Sequence, residues 1–153
     1  MEQNILVFIK ELIWWILTAM VVAALLYPIY TKLYYLHYPI NIAFIFITLT
    51  YFRWAVTFRS LPFLNSGIVR FLLFAVNTSL FVYLMGQEQK MLILSDNFSM
   101  QDFGFPKVIM YEDIKAGLFK YIYNEVTFFA TSSLVMIAAF NLRLLIAWWQ
   151  YYK

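Results

Sequence analysis

The chain has 153 residues, of which 64% are hydrophobic and 12% are charged, whereas soluble globular proteins average about 45–50% apolar and about 25% charged residues. So few charges cannot cover a soluble surface, and the absence of cysteine excludes disulfides, thiolate nucleophiles and Cys-ligated metal centres. The net charge of +3 is small and no basic cluster is present, so no nucleic acid is expected as a partner. Length and composition therefore predict one domain that lies in a lipid bilayer.

Four apolar runs follow one another along the chain, and each is close to the roughly 20 residues that a helix needs to cross the hydrocarbon core. They cover about residues 12–30, 39–58, 68–85 and 121–142. We expect helices because unpaired backbone groups cannot face lipid. The predicted fold is an all-α integral membrane protein, a small bundle of four transmembrane helices. Residues 86–120 form a short extracytoplasmic segment between the third and fourth helices in this prediction.

Proline and turn-forming residues mark the predicted borders. Pro28 is expected to kink or end the first helix, whereas Pro39 suits the first turn of the second. The string RSLPFLNSG at residues 59–67 predicts a tight turn. In the extracytoplasmic segment, the apolar string KMLIL at residues 90–94 fits a strand, an interfacial turn or a helix extension. A short helix at the membrane surface is expected from Pro106 onward, leading into the fourth span.

All four arginines fall on the side of the bilayer that receives both termini: Arg53, Arg59, Arg70 and Arg143. Basic residues in short flanking segments favour the cytoplasmic side. The other side holds lysines but no arginine, and acidic residues in the extracytoplasmic segment offset those lysines. We therefore expect both termini in the cytoplasm and a bacterial inner membrane as the location.

Arg53 lies inside the second apolar run, about one and a half turns before Arg59. One interpretation is snorkelling, in which the guanidinium reaches the interface while its stem stays in the apolar region. The other is a buried partner within the bundle. Glu11 at the start of the first helix and Asn77 in the third helix are the candidates for that partner.

Glu125 is the strongest candidate for a functional site, because a carboxylate inside a membrane helix is energetically unfavourable. It follows Asn124 about one turn inside the fourth helix, and a polar strip continues along that helix with Thr127, Thr131, Ser132 and Ser133. One interpretation is proton or ion exchange at Glu125. The other is that Glu125 sits near the outer interface and pairs with Lys120 or Lys32, and that the hydroxyl strip is where helices touch.

The sequence contains none of the common catalytic patterns, such as HExxH, GxSxG, a P-loop or a dinucleotide fingerprint. His37 is the only histidine and has no second soft ligand nearby, so neither a metal nor another cofactor is expected. The string VRFLLFAVNTSLFVYLM, residues 69–85, resembles the opening span of GtrA-type four-span proteins, which are associated with moving lipid-linked sugars. The resemblance covers the third span alone, and no functional residue is carried over from it.

We therefore expect a non-enzymatic accessory or scaffolding subunit of a larger integral-membrane complex, since the sequence lacks both a catalytic constellation and soluble mass. Its partners are expected to be other membrane subunits or further copies of the chain. The predicted docking surface combines the extracytoplasmic segment with the strip on the fourth helix: Phe98, Phe103, Phe105, Tyr111, Thr127, Thr131 and Ser132. The alternative is a small oligomeric transporter, flippase or channel that uses the intramembrane residues Glu125, Asn77 and Arg53.

Overall fold

The computed structural model describes residues 2–57, 66–96, 104–107 and 111–151. These residues form four helices and two short strands, in chain order α1 Glu2–Lys32, β1 Leu33–Tyr35, α2 Tyr38–Val56, α3 Gly67–Asp96, β2 Gly104–Pro106 and α4 Glu112–Tyr151. Each of these helices is long and apolar enough to cross a membrane. The prediction of a helical fold with four helices of membrane length is confirmed, and a small two-stranded ribbon is added to it. Most of the predicted turn at residues 59–67 lies outside the described residues.

The helices run well past the apolar runs that predict them. α1 begins at Glu2 and continues through Pro28 to Lys32, so Pro28 does not end it. Pro39 occupies the first turn of α2, where a backbone N–H has no partner within the helix, so proline loses no hydrogen bond there. α4 has 40 residues, which span about 60 Å at about 1.5 Å per residue, whereas the hydrocarbon core of a bilayer is about 30 Å thick. Part of α4 therefore extends beyond the length that a membrane covers.

Most of the predicted segment at residues 86–120 is helical, because α3 continues to Asp96 and α4 begins at Glu112. The string at residues 90–94 is a helix extension, the last of its three predicted conformations. Pro106 ends a strand, and the helix expected from there onward begins at Glu112 instead and continues without a break into the fourth span. The string GQEQK at the start of the segment consists largely of strong helix formers. The helix therefore continues although the apolar run has ended.

The core lies where α4 packs against α2 and α3, and α1 packs mainly against α2. Its centre is apolar and aromatic, with at most 1% of the surface exposed at Phe44, Leu84, Ile137 and Phe140. The Tyr51 ring meets Phe140 edge-on at 5.5 Å, a favoured geometry for two aromatic rings. These contacts make α2, α3 and α4 one unit, whereas α1 exposes large apolar side chains along much of its length.

The two strands form an antiparallel ribbon with Tyr34 opposite Phe105. Gly104 has a φ angle of 150°, and a Cβ at this position would lie 2.0 Å from the Tyr34 carbonyl oxygen, so only glycine fits. Beyond the ribbon, the Lys107 backbone N–H donates to the Lys32 carbonyl at 3.0 Å. The ribbon therefore ties the segment between α3 and α4 to the link between α1 and α2.

Lys107 also closes the C-terminal end of α1. Its ammonium donates to the Tyr30 carbonyl at 2.6 Å and lies 4.1 Å from the centroid of the Tyr30 ring. The last carbonyls and the helix dipole make a helix C-terminus negative, so a cation there is stabilising. We call this end of the bundle the ribbon end. The opposite end is the arginine end, where Arg53, Arg70 and Arg143 make their contacts.

Candidate functional site

A buried hydrogen bond joins α2 to α4 in the half of the bundle nearer the ribbon. Asn41 Nδ2 donates to Glu125 Oε2 at 2.7 Å, and the exposed fractions of the two residues are 0% and 7%. Asn41 lies one turn into α2, and the two residues are 84 positions apart in the chain. Within the described part of the chain, no lysine or arginine forms an ion pair with Glu125. The pairing with Lys120 or Lys32 that one interpretation expects is therefore not formed, and the neutral amide of Asn41 bonds to Glu125 instead.

Three buried oxygen atoms in this region have no hydrogen-bond partner among the described residues: Glu125 Oε1, Asn41 Oδ1 and the Tyr38 hydroxyl. Tyr35, in β1, packs its ring edge-on against Tyr38 at 5.1 Å. Burial raises the pKa of the Tyr35 phenol, and the nearby Glu125 carboxyl and Tyr38 raise it further. Tyr35 is therefore neutral near pH 7. We call Tyr35, Tyr38, Asn41 and Glu125 the Glu125 cluster.

A second buried network joins three helices nearer the arginine end. Tyr51 on α2 donates its hydroxyl to Asn77 Oδ1 on α3 at 2.6 Å, and Asn77 Nδ2 donates to Asn141 Oδ1 on α4 at 3.0 Å. Asn77 is 1% exposed. Its two polar atoms thus bond to Tyr51 and Asn141 and not to Arg53, so Asn77 is wrong as a predicted partner of that arginine.

Arg53 contacts Glu11, the other of its two predicted partners. A guanidinium N–H donates to Glu11 Oε1, and the guanidinium carbon lies 5.4 Å from the centroid of the Trp14 ring, within range of a cation–π contact. The exposed fractions of the side chains are 13% for Arg53 and 39% for Glu11. Arg53 is therefore a largely buried tie between α2 and α1 at the arginine end.

Two other arginines reach backbone carbonyls near helix C-termini. Arg143 on α4 donates to the Ala55 carbonyl at the end of α2. Arg70 on α3 donates to the Ala147 carbonyl, near the end of α4, at 2.9 Å. These carbonyls lie at the negative ends of their helices. The arginines thus lie near the C-terminal ends of α2 and α4. Their contacts there are a structural reason for the clustering of arginines at one end of the bundle, the same clustering that predicts topology. Arg59 lies outside the described residues.

The predicted docking residues of the extracytoplasmic segment are only partly described. Phe98 and Phe103 lie outside the described residues, and Phe105 belongs to β2. Tyr111 is 81% exposed just before α4 begins. Of this part of the predicted surface, Tyr111 is therefore the side chain that the structure shows open to a partner.

The polar strip on α4 lies largely against α3. Thr131 donates its hydroxyl to Glu88 Oε1 on α3 at 2.8 Å, and Thr127 lines a narrow crevice together with Glu88. Ser132 is half-buried, and Asn124 is exposed and so lies away from the buried Glu125 cluster. Thr127 and Thr131 thus serve contacts within the chain, as the helix-contact interpretation of the strip expects.

An apolar groove of about 620 Å³ lies between α1 and α2 in the ribbon half of the bundle. Nine residues line it, and none of them is charged: Ala19, Val22, Ala23, Leu26, Tyr27, Tyr30, Tyr38, Ile42 and Phe46. Ala19 and Ala23 are four residues apart, so they lie one above the other on one face of α1. Tyr38 belongs both to this α1–α2 groove and to the Glu125 cluster.

Three residues that carry the buried contacts are not identified from the sequence: Asn41, Tyr51 and Asn141. A polar residue inside an apolar span is a signal in itself, and it marks Asn41 in the string PINIAFIF. Asn141 stands beside an arginine at the end of its span and looks interfacial there. Tyr51 carries no comparable signal, because tyrosine is common near membrane borders.

Among the described residues, no group of three or more His, Cys, Asp or Glu side chains could hold a metal ion. The His37 ring lies edge-on to the Tyr35 ring at 5.8 Å. Comparison with known protein families, curated proteins and solved structures finds no match for this chain. The resemblance of the third span to GtrA-type proteins therefore gains no support, and function is argued from geometry.

Proposed function

We propose that this chain is a non-enzymatic accessory or scaffolding subunit of a larger integral-membrane complex, and that a transmembrane helix of another subunit occupies the α1–α2 groove. The observation that carries the proposal is the groove itself. α1 is joined to the rest of the chain by the Glu11–Arg53 pair and, at its C-terminal end, by Lys107, and between these two contacts an open groove separates part of its surface from α2. An opening between two membrane-length helices faces the bilayer, where only lipid chains or another helix can fill it.

The groove has the dimensions of a contact between helices. It extends along α1 from Ala19 to Tyr30, which is about 17 Å, or three helical turns. Its floor contains Ala19 and Ala23, and small residues four apart let two helix backbones approach closely in a membrane. Lipid tails are as apolar as the groove walls and gain little by entering it. Close packing therefore favours a helix as the occupant.

Tyrosines at the ribbon end of the groove offer polar contacts to such a helix. Tyr27 and Tyr30 line the groove, and both are exposed in the isolated chain. A tyrosine has an apolar ring and a polar tip, which suits an interface whose one end is dry and whose other end is wet. The groove thus combines a small-residue floor with hydrogen-bonding groups at its outer end.

We also propose that the complex lies in a bacterial inner membrane, with both termini of this chain in the cytoplasm. Arg53, Arg70 and Arg143 make their contacts at the end where α1 starts and α4 finishes, and basic flanks favour the cytoplasmic side. A reporter that works only in the cytoplasm is expected to be active when fused after Lys153. If a reporter that works only outside the cytoplasm is active at that position instead, the proposed orientation is wrong.

Replacing Ala23 with Leu is expected to reduce partner binding by about tenfold or more, because the larger side chain fills the floor of the groove. Overpacking costs about 1–3 kcal/mol, and each 1.4 kcal/mol is about tenfold in affinity. The measurement is the stoichiometry of membrane proteins that co-purify with the tagged chain from its native membrane in mild detergent. Ala24→Leu is the matched control, since Ala24 is exposed on the same helix but does not line the groove.

The proposal is supported by a partner that is recovered at fixed stoichiometry with the wild type and with Ala24→Leu, and that is lost with Ala23→Leu. Recovery of a lone chain with lipid in the groove contradicts it. Equal recovery of the partner with both variants contradicts the placement in the groove. If only a second copy of the chain is recovered, and Ala23→Leu makes the chain monomeric, the groove is a self-association interface instead.

A small oligomeric transporter, flippase or channel is the second candidate, and the Glu125 cluster is the observation that favours it. Acids inside membrane helices often mark proton and ion pathways. Asn77 bonds to Tyr51 and Asn141, and Arg53 bonds to Glu11, whereas Glu125 Oε1 has no described partner. Substrate movement by the purified chain in liposomes, lost with Glu125→Gln but retained with Ala23→Leu, would favour this candidate over the subunit.

A further inference from the structure

Glu125 is buried without the positive charge that a carboxylate needs in such a place. Its one described hydrogen bond comes from the neutral amide of Asn41, and no lysine or arginine in the described ranges forms an ion pair with it. A charge buried without a counter-charge is strongly destabilising, and a group in that position takes its neutral form instead. The surroundings of Glu125 therefore favour the acid over the carboxylate.

The titratable and polar neighbours of Glu125 come from three elements. Tyr35 faces it from β1, Tyr38 and Asn41 belong to the same cluster on α2, and Tyr121 lies one turn earlier on α4. None of these side chains is a cation. The Tyr121 hydroxyl already donates to a backbone carbonyl of α1 at 2.8 Å. Across the described residues, α1 and α3 contribute no ion pair to Glu125.

The Glu125–Asn41 pair has two oxygen atoms without a described hydrogen-bond partner, and these atoms indicate that a proton belongs between the two groups. Glu125 Oε1 and Asn41 Oδ1 are the remaining polar atoms of the two groups that share the 2.7 Å bond. Both are acceptors when Glu125 is ionised, so neither can satisfy the other. A proton on Oε1 would make that atom a donor, and Asn41 Oδ1 is the unpaired acceptor of the same amide that already bonds to Oε2. A carboxylic acid and an amide can pair in this way through two hydrogen bonds.

We propose that Glu125 is a proton-binding site, which holds its proton in the folded protein and pairs with Asn41 through two hydrogen bonds that join α2 to α4. Release of the proton leaves two acceptors opposed in a buried place and weakens this contact. The inference goes beyond the proposed subunit function and does not depend on it. A small monovalent cation is the rival occupant, because it also satisfies two oxygen atoms.

Infrared spectroscopy of the purified chain in lipid nanodiscs tests the protonation of Glu125 directly. In sodium-free buffer at pH 7, the wild type is expected to show the absorption of a buried carboxylic acid, identified by its shift in D2O. The band is expected to disappear with Glu125→Gln. It is expected to persist with Glu88→Gln, which removes the carboxyl that Thr131 contacts on α3. With Asn41→Leu the band is expected to remain but to shift, because the acid loses its partner.

Thermal unfolding as a function of pH gives an independent measurement. In Glu125→Gln, a side-chain amide replaces the acid and forms the same two hydrogen bonds with Asn41, but it has no titratable proton. The exposed carboxyl of an unfolded chain releases its proton near pH 4.3, about the ordinary value for glutamate. Because the folded wild type then holds one more proton than the unfolded chain, raising the pH favours unfolding. Relative to Glu125→Gln, the wild type is expected to lose thermal stability as the pH rises above that value.

Where Glu125→Gln folds, either of two results would overturn the proposal. One is a carboxylate absorption in place of the acid band, lost with Glu125→Gln. The other is stabilisation of the wild type, but not of Glu125→Gln, by sodium at constant pH, which would assign the site to a metal cation. If Glu125→Gln does not fold, the acid band of the wild type and its shift with Asn41→Leu decide. An acid band that does not move in that variant would place the proton elsewhere.

Discussion

Replacement of Asn77 by Leu is expected to lower the free energy of unfolding by about 1–3 kcal/mol. Leucine removes both the acceptor for Tyr51 and the donor to Asn141, so the buried Tyr51 hydroxyl and the half-buried Asn141 carbonyl lose their partner. The two bonds alone are worth only about 0.6 kcal/mol each in a membrane protein. The penalty for buried groups left without a bond therefore decides the magnitude. Unfolding titrations in mixed detergent micelles measure the difference.

Two further variants make this result interpretable. Val76 precedes Asn77 on α3 and is exposed, so Val76→Leu is expected to stay within about 0.5 kcal/mol of the wild type. Adding Tyr51→Phe to Asn77→Leu removes one of the orphaned groups, so the double variant is expected to regain part of the lost stability. An Asn77→Leu protein as stable as Val76→Leu would show that apolar packing alone holds the three helices.

The sequence predicts that the four helices exist, but it does not predict the residues at which they begin and end. A run of about 20 apolar residues has few uses other than crossing a membrane. The apolar run of α3 stops near Met85, but the helix continues to Asp96 because glutamine, glutamate and lysine are good helix formers. The ribbon has no local signal either. Its strands have three residues each and pair across the chain, and Gly104 is required by a contact with Tyr34 that the sequence does not show.

The sequence predicts near which end of the bundle each residue of the candidate site lies, but not toward which neighbouring helix its side chain points. Arg53 and Glu11 can be placed at the same end of the bundle by counting turns from the predicted borders, and the structure joins them. Asn41 and Glu125 also lie nearer one end, but their contact depends on how α2 and α4 are rotated. A helix that is apolar on every face does not reveal which face meets a given neighbour. For the same reason, the contact of Thr131 with α3 does not follow from the sequence.

Replacement of Arg53 by Leu is expected to release the start of α1 from α2 and, through the groove, to weaken partner binding. The guanidinium is the counter-charge of Glu11 and lies over the Trp14 ring. Hydrogen bonds to charged groups contribute about 1.5–3 kcal/mol, and water around the 39% exposed Glu11 side chain places this pair at the lower end. Because the chain has no native cysteine, spin labels on cysteines introduced at Leu12 of α1 and Phe52 of α2 can report the distance between the helices.

A narrow distance distribution is expected for the wild type, and a broader and longer one for Arg53→Leu. Arg53→Lys keeps the charge but loses the planar fork, so an intermediate distribution is expected. Arg70→Leu is the control, because Arg70 contacts α4 and its loss is expected to leave the α1–α2 distance unchanged. Should the distance and the partner both survive Arg53→Leu, α1 is held by the ribbon end and by apolar contacts such as the Trp15–Phe46 stack at 5.2 Å. Should both be lost together, the charge that interrupts the second apolar run is what shapes the groove.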